Sequence, residues 1–400
     1  MPDGNEPVAI KVLGSIGEIS AEAWDACAGA GNPFTSHGFL AAVEDSGSAA
    51  AETGWEPRHL CLEDKSGVLI GAVPMYLKGH SYGEYVFDWG WGDAYERAGG
   101  HYYPKLQAAI PFTPVTGPRL LVRDTVAPEM RHAVIKTLTA GLIEVAKRLD
   151  VSSVHVTFPT EDQWQGLGAE GFLQREGKQF FWHNPGYDGF DDFLASLASR
   201  KRKMIRRERR DALASGIRIE TLNGCDIKPR HWDNFFEFYL NTTNRKWGHP
   251  YLNRDFFDRL GQTMADKVVL VMAERDGEPI AGALNLMGDD ALYGRNWGCI
   301  EYHPFLHFEV CYYRAMDFAI ERGLKRVEAG AGGRHKIQRG YVPAATYSAH
   351  WIRDPGFRQA VEQFLDEERR QIEFERLALG QRTPFRKDGP GQAGEDVDEF

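Results

Sequence analysis

Residues 267–288 read KVVLVMAERDGEPIAGALNLMG, and they carry the clearest structural signal in the chain. Two apolar runs flank Asp276-Gly277, a dipeptide typical of the tight turn between two antiparallel strands. The segments that follow predict a third strand at 291–299, a helix at 309–325 and a fourth strand at 326–330. This order of strands and helix predicts an α/β unit with a mixed sheet.

A similar order of elements occurs earlier in the chain, where a hairpin is centred on Lys65–Gly67. The predicted elements of this first half are strands at 8–13, 58–64, 68–78, 82–91 and 151–158, and helices at 20–29, 37–47 and 131–150. The stretches HYYPKLQAAI (101–110) and EYHPFLHFEV (301–310) also align, with Pro104 and Pro304 in register. We therefore predict two tandem copies of one α/β unit; the alternative is a coincidental likeness of two ordinary hairpins.

The composition is that of a folded protein. Hydrophobic residues make up 42% and aromatic residues 12% of the 400 residues, which is enough to fill cores. The net charge of −10 argues against a surface built for non-specific nucleic-acid binding. The five cysteines are widely spaced without a CxxC motif, which favours a reducing compartment. Because neither a signal peptide nor an integral membrane segment is visible, we expect a soluble cytoplasmic protein, with a disordered tail at 379–400.

A dense basic run lies between the two halves. Residues 200–210 contain eight Lys or Arg and one acid, Glu208. We predict a basic linker helix over 188–216, between a first domain at 1–187 and a second at 217–378. The run is suited to phosphates of RNA, of a diphosphate or of an anionic lipid, although a solvated face neutralised by nearby acids is the alternative. The candidate phosphate-binding residues are Arg200, Lys201, Arg202, Lys203, Arg206 and Arg207.

A second basic cluster lies in EAGAGGRHKIQRGYVP, residues 328–343. Small residues end a predicted strand and lead into Arg334, His335, Lys336 and Arg339. Ligands of α/β sheets bind at the carboxyl ends of strands, and glycines allow backbone N–H groups to approach them. The cations would attract phosphate or carboxylate. The alternative is a plain tight turn before a surface helix.

The segment NWGCIEYHPFLHFEVCYY, residues 296–313, contains His303, His307 and Glu309. Their spacing does not match HExxH, so we predict no metal site and regard His307 and Glu309 as candidate general bases. The sequence contains no GxxxxGK[ST] loop of the nucleotide triphosphatases.

Several of these stretches together resemble the FemAB-like branch of the GNAT-type acyltransferases. They are PFTSHGFLAAVEDSGSA, SRKRKMIRRERR, the path from Tyr302-His303-Pro304 through the helix at 309–325, and GGRHKIQRGYVPAATYSAHW, within about residues 30–356. The resemblance implies tandem GNAT-like domains and a part in peptidoglycan biosynthesis. Studied members transfer an amino acid from aminoacyl-tRNA to an amine of a peptidoglycan precursor. Gln338 stands where those enzymes have a lysine, and CIEYHPFLHF lacks the glycine turn with which acetyl-CoA-using relatives bind pyrophosphate.

We therefore expect an acyl- or aminoacyl-transferase that forms an amide on an amine acceptor. It would hold no tightly bound cofactor and would use aminoacyl-tRNA or acyl-CoA as donor, with a small molecule, a precursor or an anionic lipid-linked amine as acceptor. The predicted catalytic residues are Glu328, His335, Lys336, His307 and Glu309. The predicted substrate-binding residues are Arg334, Arg339, Gly332, Gly333, Tyr302, His303, Trp297, Trp91, Tyr102 and Tyr103. The alternatives are a non-catalytic protein of the same fold that binds an anionic glycan, lipid or RNA, and an acyl-CoA-dependent N-acetyltransferase unrelated to the cell wall.

Overall fold

The computed structural model describes residues 9–246, 249–380 and 383–386, so residues 387–400 of the predicted tail lie outside the described residues. The strands are β1 Ala9–Leu13, β2 Trp55–Pro57, β3 His59–Glu63, β4 Leu69–Val73, β5 Met75–Lys78, β6 Lys105–Ala108, β7 Leu121–Val122, β8 Ser153–Thr157, β9 Leu173–His183, β10 Ile217–Asn223, β11 Val268–Arg275, β12 Glu278–Met287, β13 Ala291–Cys299, β14 Arg326–Glu328 and β15 Val342–Ile352. The helices are α1 Ala21–Ala28, α2 His37–Asp45, α3 Trp89–Arg97, α4 Pro128–Arg148, α5 Glu161–Ala169, α6 Phe190–Ser196, α7 Ser199–Ala212, α8 Pro229–Lys246, α9 Arg254–Thr263, α10 Leu306–Phe308, α11 Arg314–Glu321 and α12 Pro355–Gly380.

The chain forms two compact units, each assembled from three separate segments. The first unit contains the described residues of Met1–Gly177, Pro250–Ala265 and Ala345–Glu373. The second contains those of Lys178–His249, Asp266–Ala344 and Phe374–Phe400. Among the described residues, no helix has both the length and the low polarity that crossing a bilayer requires.

The first unit contains two groups of paired strands. One is antiparallel, in the order β1-β3-β4-β7, and includes the hairpin predicted around Lys65–Gly67. The other has the order β2-β5-β6-β8-β15, in which β6 and β8 run parallel. The long helix α4 packs Val134, Leu138 and Leu142 into the main core beside strand residues such as Leu106 and Val154, because its apolar positions recur at helical spacing.

The strand predicted at 82–91 is wrong. Residues 82–88 form no regular element, and helix α3 begins at Trp89. Glu84 and Asp88 turn inward onto the buried Lys105, while Tyr82 and Phe87 face solvent. The next strand along the chain after β5 is β6, within the stretch that was aligned with 301–310. That local alignment is also wrong, because the later stretch leads into α10.

The second unit contains the order β10-β11-β12-β13-β14-β9, in which only β13 and β14 are parallel. The predicted hairpin is confirmed: β11 and β12 are joined by Asp276-Gly277, with φ of +55° and +85°. Gly282 faces Phe235 of α8, whereas its neighbour Ala283 packs beside α10. Because successive strand residues point to opposite faces, helices cover both sides of this sheet.

The predicted basic linker is two helices rather than one. Helix α6 ends at Ser196, and α7 begins at Ser199 within the second unit. The predicted helix at 309–325 starts as a π-helical turn, Glu309–Tyr313, and continues as α11. Insertions of this kind are frequent near functional sites.

Candidate active site

Strands β13 and β14 run side by side for a short distance and then part. Their pairing extends from Ala291 with Arg326 to Tyr293 with Glu328. Strand β14 ends at Glu328, whereas β13 continues to Cys299. The point where adjacent parallel strands part, at their carboxyl ends, is where α/β sheets bind ligands. This branch point is the place where the sequence predicted a ligand.

Glu328 lies at the branch point, where the pairing of β13 and β14 ends at Tyr293 and Glu328. One of its carboxylate oxygens accepts a hydrogen bond, and the other has no partner among the described residues. Its side chain is buried, and Oε1 accepts a hydrogen bond of 2.9 Å from Nε of Arg326. Arg326 also donates to Asp290 at 2.7 Å. Within the described residues, Oε2 of Glu328 is buried without a hydrogen-bond partner. Burial raises the pKa of this carboxyl to about 7, although Arg326 acts to lower it, so the group is suited to accept a proton at neutral pH.

A glycine turn follows β14 and carries His335 back over itself. Gly333 has φ of +95°, and a Cβ added there would lie 2.4 Å from Cε1 of His335. The imidazole can therefore close over this position because glycine has no side chain. Gly332, by contrast, is exposed, and a Cβ added there would meet nothing within 4 Å.

His335 belongs to a cluster of half-buried rings. Its Nε2 lies 3.0 Å from the hydroxyl of Tyr312, and its ring centroid lies 5.3 Å from Phe308 and 6.3 Å from His307. Trp297, on the free end of β13, lies 5.2 Å from His307. Burial, and then the charges of Arg339 and Lys336, lower the pKa of His335. The structure thus brings together three predicted site residues, His307, His335 and Trp297.

Lys336 holds the glycine turn from inside. Its side chain is buried, and its ammonium donates to the carbonyl oxygen of Ala329 and, at 3.1 Å, to that of Gly330. Both carbonyls directly follow β14. Burial lowers the pKa of Lys336 to about 8. The side chain therefore fixes the backbone beside Glu328.

Arg339 is anchored by the single acid of the basic run. Its guanidinium makes a two-pronged ion pair with Glu208 of α7, at 3.0 and 2.7 Å, and donates to the carbonyl of His335 at 2.7 Å. It also lies 3.5 Å from the ring of Phe308, and Glu208 accepts from the hydroxyl of Tyr313. Helix α7 is thereby packed against the basic turn, residues 334–339, which follows the glycine turn. The two stretches lie far apart in the sequence.

Other residues predicted for the site lie outside this ring cluster or interact with neighbouring side chains. Glu309 is fully buried, and its carboxylate accepts hydrogen bonds from Arg209 and Arg314. It therefore holds these two arginines in place. The side chain of Tyr302 is 88% exposed, and His303 lies 2.9 Å from Glu301. The side chain of the predicted Arg334 lies outside the described residues.

The predicted phosphate-binding cations lie on α7, most of them on its outer surface. Lys201 donates a hydrogen bond of 3.1 Å to Gln338, which is a second contact between α7 and the basic turn. Arg206 pairs with Asp191, and Arg207 lies 3.9 Å from Asp211. Arg200 and Lys203 are exposed and Arg202 is half-buried.

In the first unit, the predicted residues Trp91, Tyr102 and Tyr103 meet at a buried polar layer. The hydroxyl of Tyr102 donates to Asp88 at 2.6 Å, and that of Tyr103 lies 2.8 Å from Ser81. The ring of Trp91 lies 4.9 Å from His350. The layer also contains the buried ion pairs of Lys105 with Glu84 and Asp88, and the contact of His155 with His350 at 2.7 Å between their Nδ1 atoms.

The sequence reasoning missed most of this polar layer. Ser153, His155 and Thr157 alternate along β8, and Ser348 and His350 alternate along β15. The alternation of polar residues along the predicted strand at 151–158 was the local signal available, because no strand was predicted at 342–352. Across the parts of the chain that the structure describes, no group of three or more His, Cys, Asp or Glu side chains is arranged to hold a metal ion.

The fold and the geometry of the branch point define an α/β protein with a candidate ligand site at parallel strand ends. The profile of the FemAB-like family, described as peptidoglycan biosynthesis/recognition, matches residues 15–387, and the chain belongs to this family. The predicted family resemblance is therefore confirmed. No curated protein sequence matches the chain.

Several solved structures are similar to the chain. FemX has 13% sequence identity and a TM-score of 0.56, with 88% of this chain and 100% of FemX covered. The C-terminal domain (DUF2156) of a putative lysylphosphatidylglycerol synthetase from Agrobacterium fabrum has 9% identity and a TM-score of 0.54, with coverage of 88% and 97%. A conserved protein of unknown function from Bacteroides thetaiotaomicron has 12% identity and a TM-score of 0.52, with coverage of 86% and 100%. The predicted α/β fold with mixed sheets is confirmed, and the chain shares it with FemX.

Proposed function

We propose that the chain is an acyl- or aminoacyl-transferase that forms an amide on an amine acceptor at the branch point of β13 and β14. The observation that carries this proposal is a buried oxygen of Glu328 that has no hydrogen-bond partner within the described part of the chain, at the point where the two strands part. An unpaired carboxylate oxygen is costly in a protein interior unless a ligand or water pairs with it. A donor group such as an amine satisfies that oxygen.

In the proposed reaction, the nitrogen of the acceptor amine attacks the carbonyl carbon of an activated ester or thioester. A C–N bond forms and the C–O or C–S bond to the donor breaks. Glu328 takes the proton that the nitrogen loses and returns it to the departing oxygen or sulfur. Backbone N–H groups of the turn at Gly330–Gly333 hold the developing oxyanion, and Lys336 keeps that turn in place.

The proposed acceptor and donor are supported by the family description, by the names of similar structures and by the positive charge of α7. The family description supports a peptidoglycan precursor as acceptor, and the names FemX and lysylphosphatidylglycerol synthetase support an aminoacyl donor. We propose aminoacyl-tRNA as the donor, with acyl-CoA as the alternative. Both carry phosphates, to which the exposed cations of α7 beside the site are complementary.

The test measures amide formation with each donor and a panel of amine acceptors. In the active pairing, Glu328→Gln lowers kcat by about 10²–10⁴-fold while the melting temperature stays close to that of the native chain. The matched control is Asp290→Asn, which alters the other carboxylate bound to Arg326 and leaves kcat within a few-fold. Equal losses in the two variants would show that Glu328 acts on the fold rather than on the proton.

A binding protein without catalysis is the second candidate, and one observation favours it. The guanidinium of Arg339 already donates hydrogen bonds to Glu208 and to a backbone carbonyl. The ammonium of Lys336 donates to two backbone carbonyls of the glycine turn. Saturable binding of a donor or of an anionic glycan, with no turnover across both donor pools, would establish this candidate instead.

A further inference from the structure

Helix α7 presents a row of cations to solvent on the face opposite its buried one. Ile205, Glu208 and Ala212 are buried against the second unit. Arg200, Lys203, Arg207 and Arg210 are all exposed, at spacings of three and four residues that place them on one side of the helix. We call these four residues the cationic stripe. It extends over about 15 Å of the helix.

The charge of the stripe is largely uncompensated. Arg207 and Arg210 share one carboxylate, that of Asp211, at 3.9 and 2.8 Å. Within the described ranges, no carboxylate forms an ion pair with Arg200 or Lys203. Like charges at this spacing repel one another on an isolated helix. A chain with a net charge of −10 thus keeps a concentrated positive row on one surface helix.

One aromatic ring lies close to the stripe, and exposed apolar residues lie near it or near α7 along the chain. Arg207 lies 6.0 Å from the ring of Phe305, which ends a loop with Tyr302 at 88% and Ile300 at 43% exposure. Leu213, directly after α7, is also exposed. We call Ile300, Tyr302 and Leu213 the apolar flank. An exposed tyrosine and two exposed aliphatic residues, close in sequence to Phe305 or to the end of α7, together with the cations fit a surface that rests on lipid headgroups.

We propose that the second unit docks on an anionic membrane surface through the cationic stripe and the apolar flank. The stripe is complementary in charge to acidic headgroups, and the flank enters the interfacial region. RNA would satisfy the cations equally well, but it offers no environment for Ile300 and Leu213, so the lipid surface accounts for both features. Because α7 packs on the turn that follows β14 through its buried face, docking through the stripe would hold the proposed site about one helix diameter from the membrane surface.

The experiment measures co-sedimentation of the full-length chain with vesicles, without any donor present. Vesicles of phosphatidylglycerol mixed with phosphatidylcholine are compared with vesicles of phosphatidylcholine alone. We expect binding to the acidic vesicles that weakens with salt. Replacing all four stripe residues with glutamine lowers that binding on the order of 1,000-fold, which corresponds to about fivefold for each cation. Tyr302→Ser lowers it several-fold.

A charge-matched control separates the stripe from net charge. The quadruple glutamine variant of the exposed residues Arg97, Lys136, Lys147 and Arg148 in the first unit removes the same charge and keeps binding within a few-fold. Circular dichroism and thermal melting confirm that both quadruple variants are folded. The proposal is overturned by equal binding to both vesicle types, by equal losses in the two quadruple variants, or by binding of a generic RNA without binding of vesicles.

The docking proposal and the proposed function fail separately. Vesicle binding needs no donor, and transfer to a soluble amine needs no membrane. Intact vesicle binding without transfer removes the transferase and leaves docking in place. Transfer to a soluble amine by the native chain without vesicles, together with vesicle binding that the stripe variant loses, supports both.

Discussion

Replacing Glu208 with glutamine would leave the guanidinium of Arg339 buried without its counter-ion. The native pair makes two hydrogen bonds of 3.0 and 2.7 Å between side chains that are 5% and 6% exposed. Charge-assisted hydrogen bonds contribute about 1.5–3 kcal/mol each. Breaking one side of a buried ion pair costs about 3–5 kcal/mol. We therefore expect α7 and the basic turn to lose about 3 kcal/mol or more of local stability.

The assay is hydrogen exchange followed by mass spectrometry, which yields the free energy of opening for peptides covering α7 and residues 334–339. In Glu208→Gln both peptides exchange faster, while peptides of the first unit are unchanged. Adding Arg339→Met removes the buried charge and restores much of the protection, because the methionine can pack on Phe308.

The control is Asp191→Asn, which removes the carboxylate of an exposed pair with Arg206 on the same helix. Exposed pairs contribute little to stability, so protection of α7 should stay unchanged. If Glu208→Gln has no larger effect than this control, the reasoning that the buried acid anchors α7 to the site is refuted.

Two further predictions concern the buried histidine pair and the glycine turn. Burial is the main cause that lowers the pKa of His155 to about 3 and that of His350 well below its usual value. The unfolded chain therefore binds more protons below about pH 6.5, and the stabilisation from the pair is lost as the pH falls, by at most about 2.7 kcal/mol per pH unit. Urea titrations of the native chain and of a double variant with glutamine at both positions isolate this difference; parallel pH curves contradict it. In the turn, Gly333→Ala strains a backbone with φ of +95° and displaces His335, which costs about 1–3 kcal/mol and slows transfer. Gly332→Ala, where a Cβ meets nothing within 4 Å, is the matched control in melting and transfer assays; equal effects would contradict the account.

Local patterns were sufficient for the elements that depend on neighbours in the sequence. The hairpin of β11 and β12 is determined by Asp276-Gly277, since both residues adopt the positive φ that this turn needs. Helix α4 was predictable from its apolar spacing. The strand at 82–91 failed because its aromatic residues imitate a strand pattern, whereas Glu84 and Asp88 are drawn to Lys105 by a contact that no local pattern records.

In the candidate site too, the features that depend on local sequence were predictable and those that depend on distant contacts were not. The glycine turn was visible in the sequence as a run of small residues before cations. That Arg339 would be taken by Glu208 was not, because the two residues are separated by 131 positions and Glu208 looked like a single acid within a solvated run. The free oxygen of Glu328 was equally invisible, since it depends on how far β14 pairs with β13.

The pH dependence of amide formation tests the central claim most directly. Burial raises the pKa of Glu328 to about 7, and a base must be ionised to accept a proton. Single-turnover rates of the native chain should therefore rise as the pH increases through about 7 and then level off. The Glu328→Gln variant should be slow and should lack this rise. An unchanged rise in the variant would contradict the assignment of Glu328 as the base at the branch point of β13 and β14.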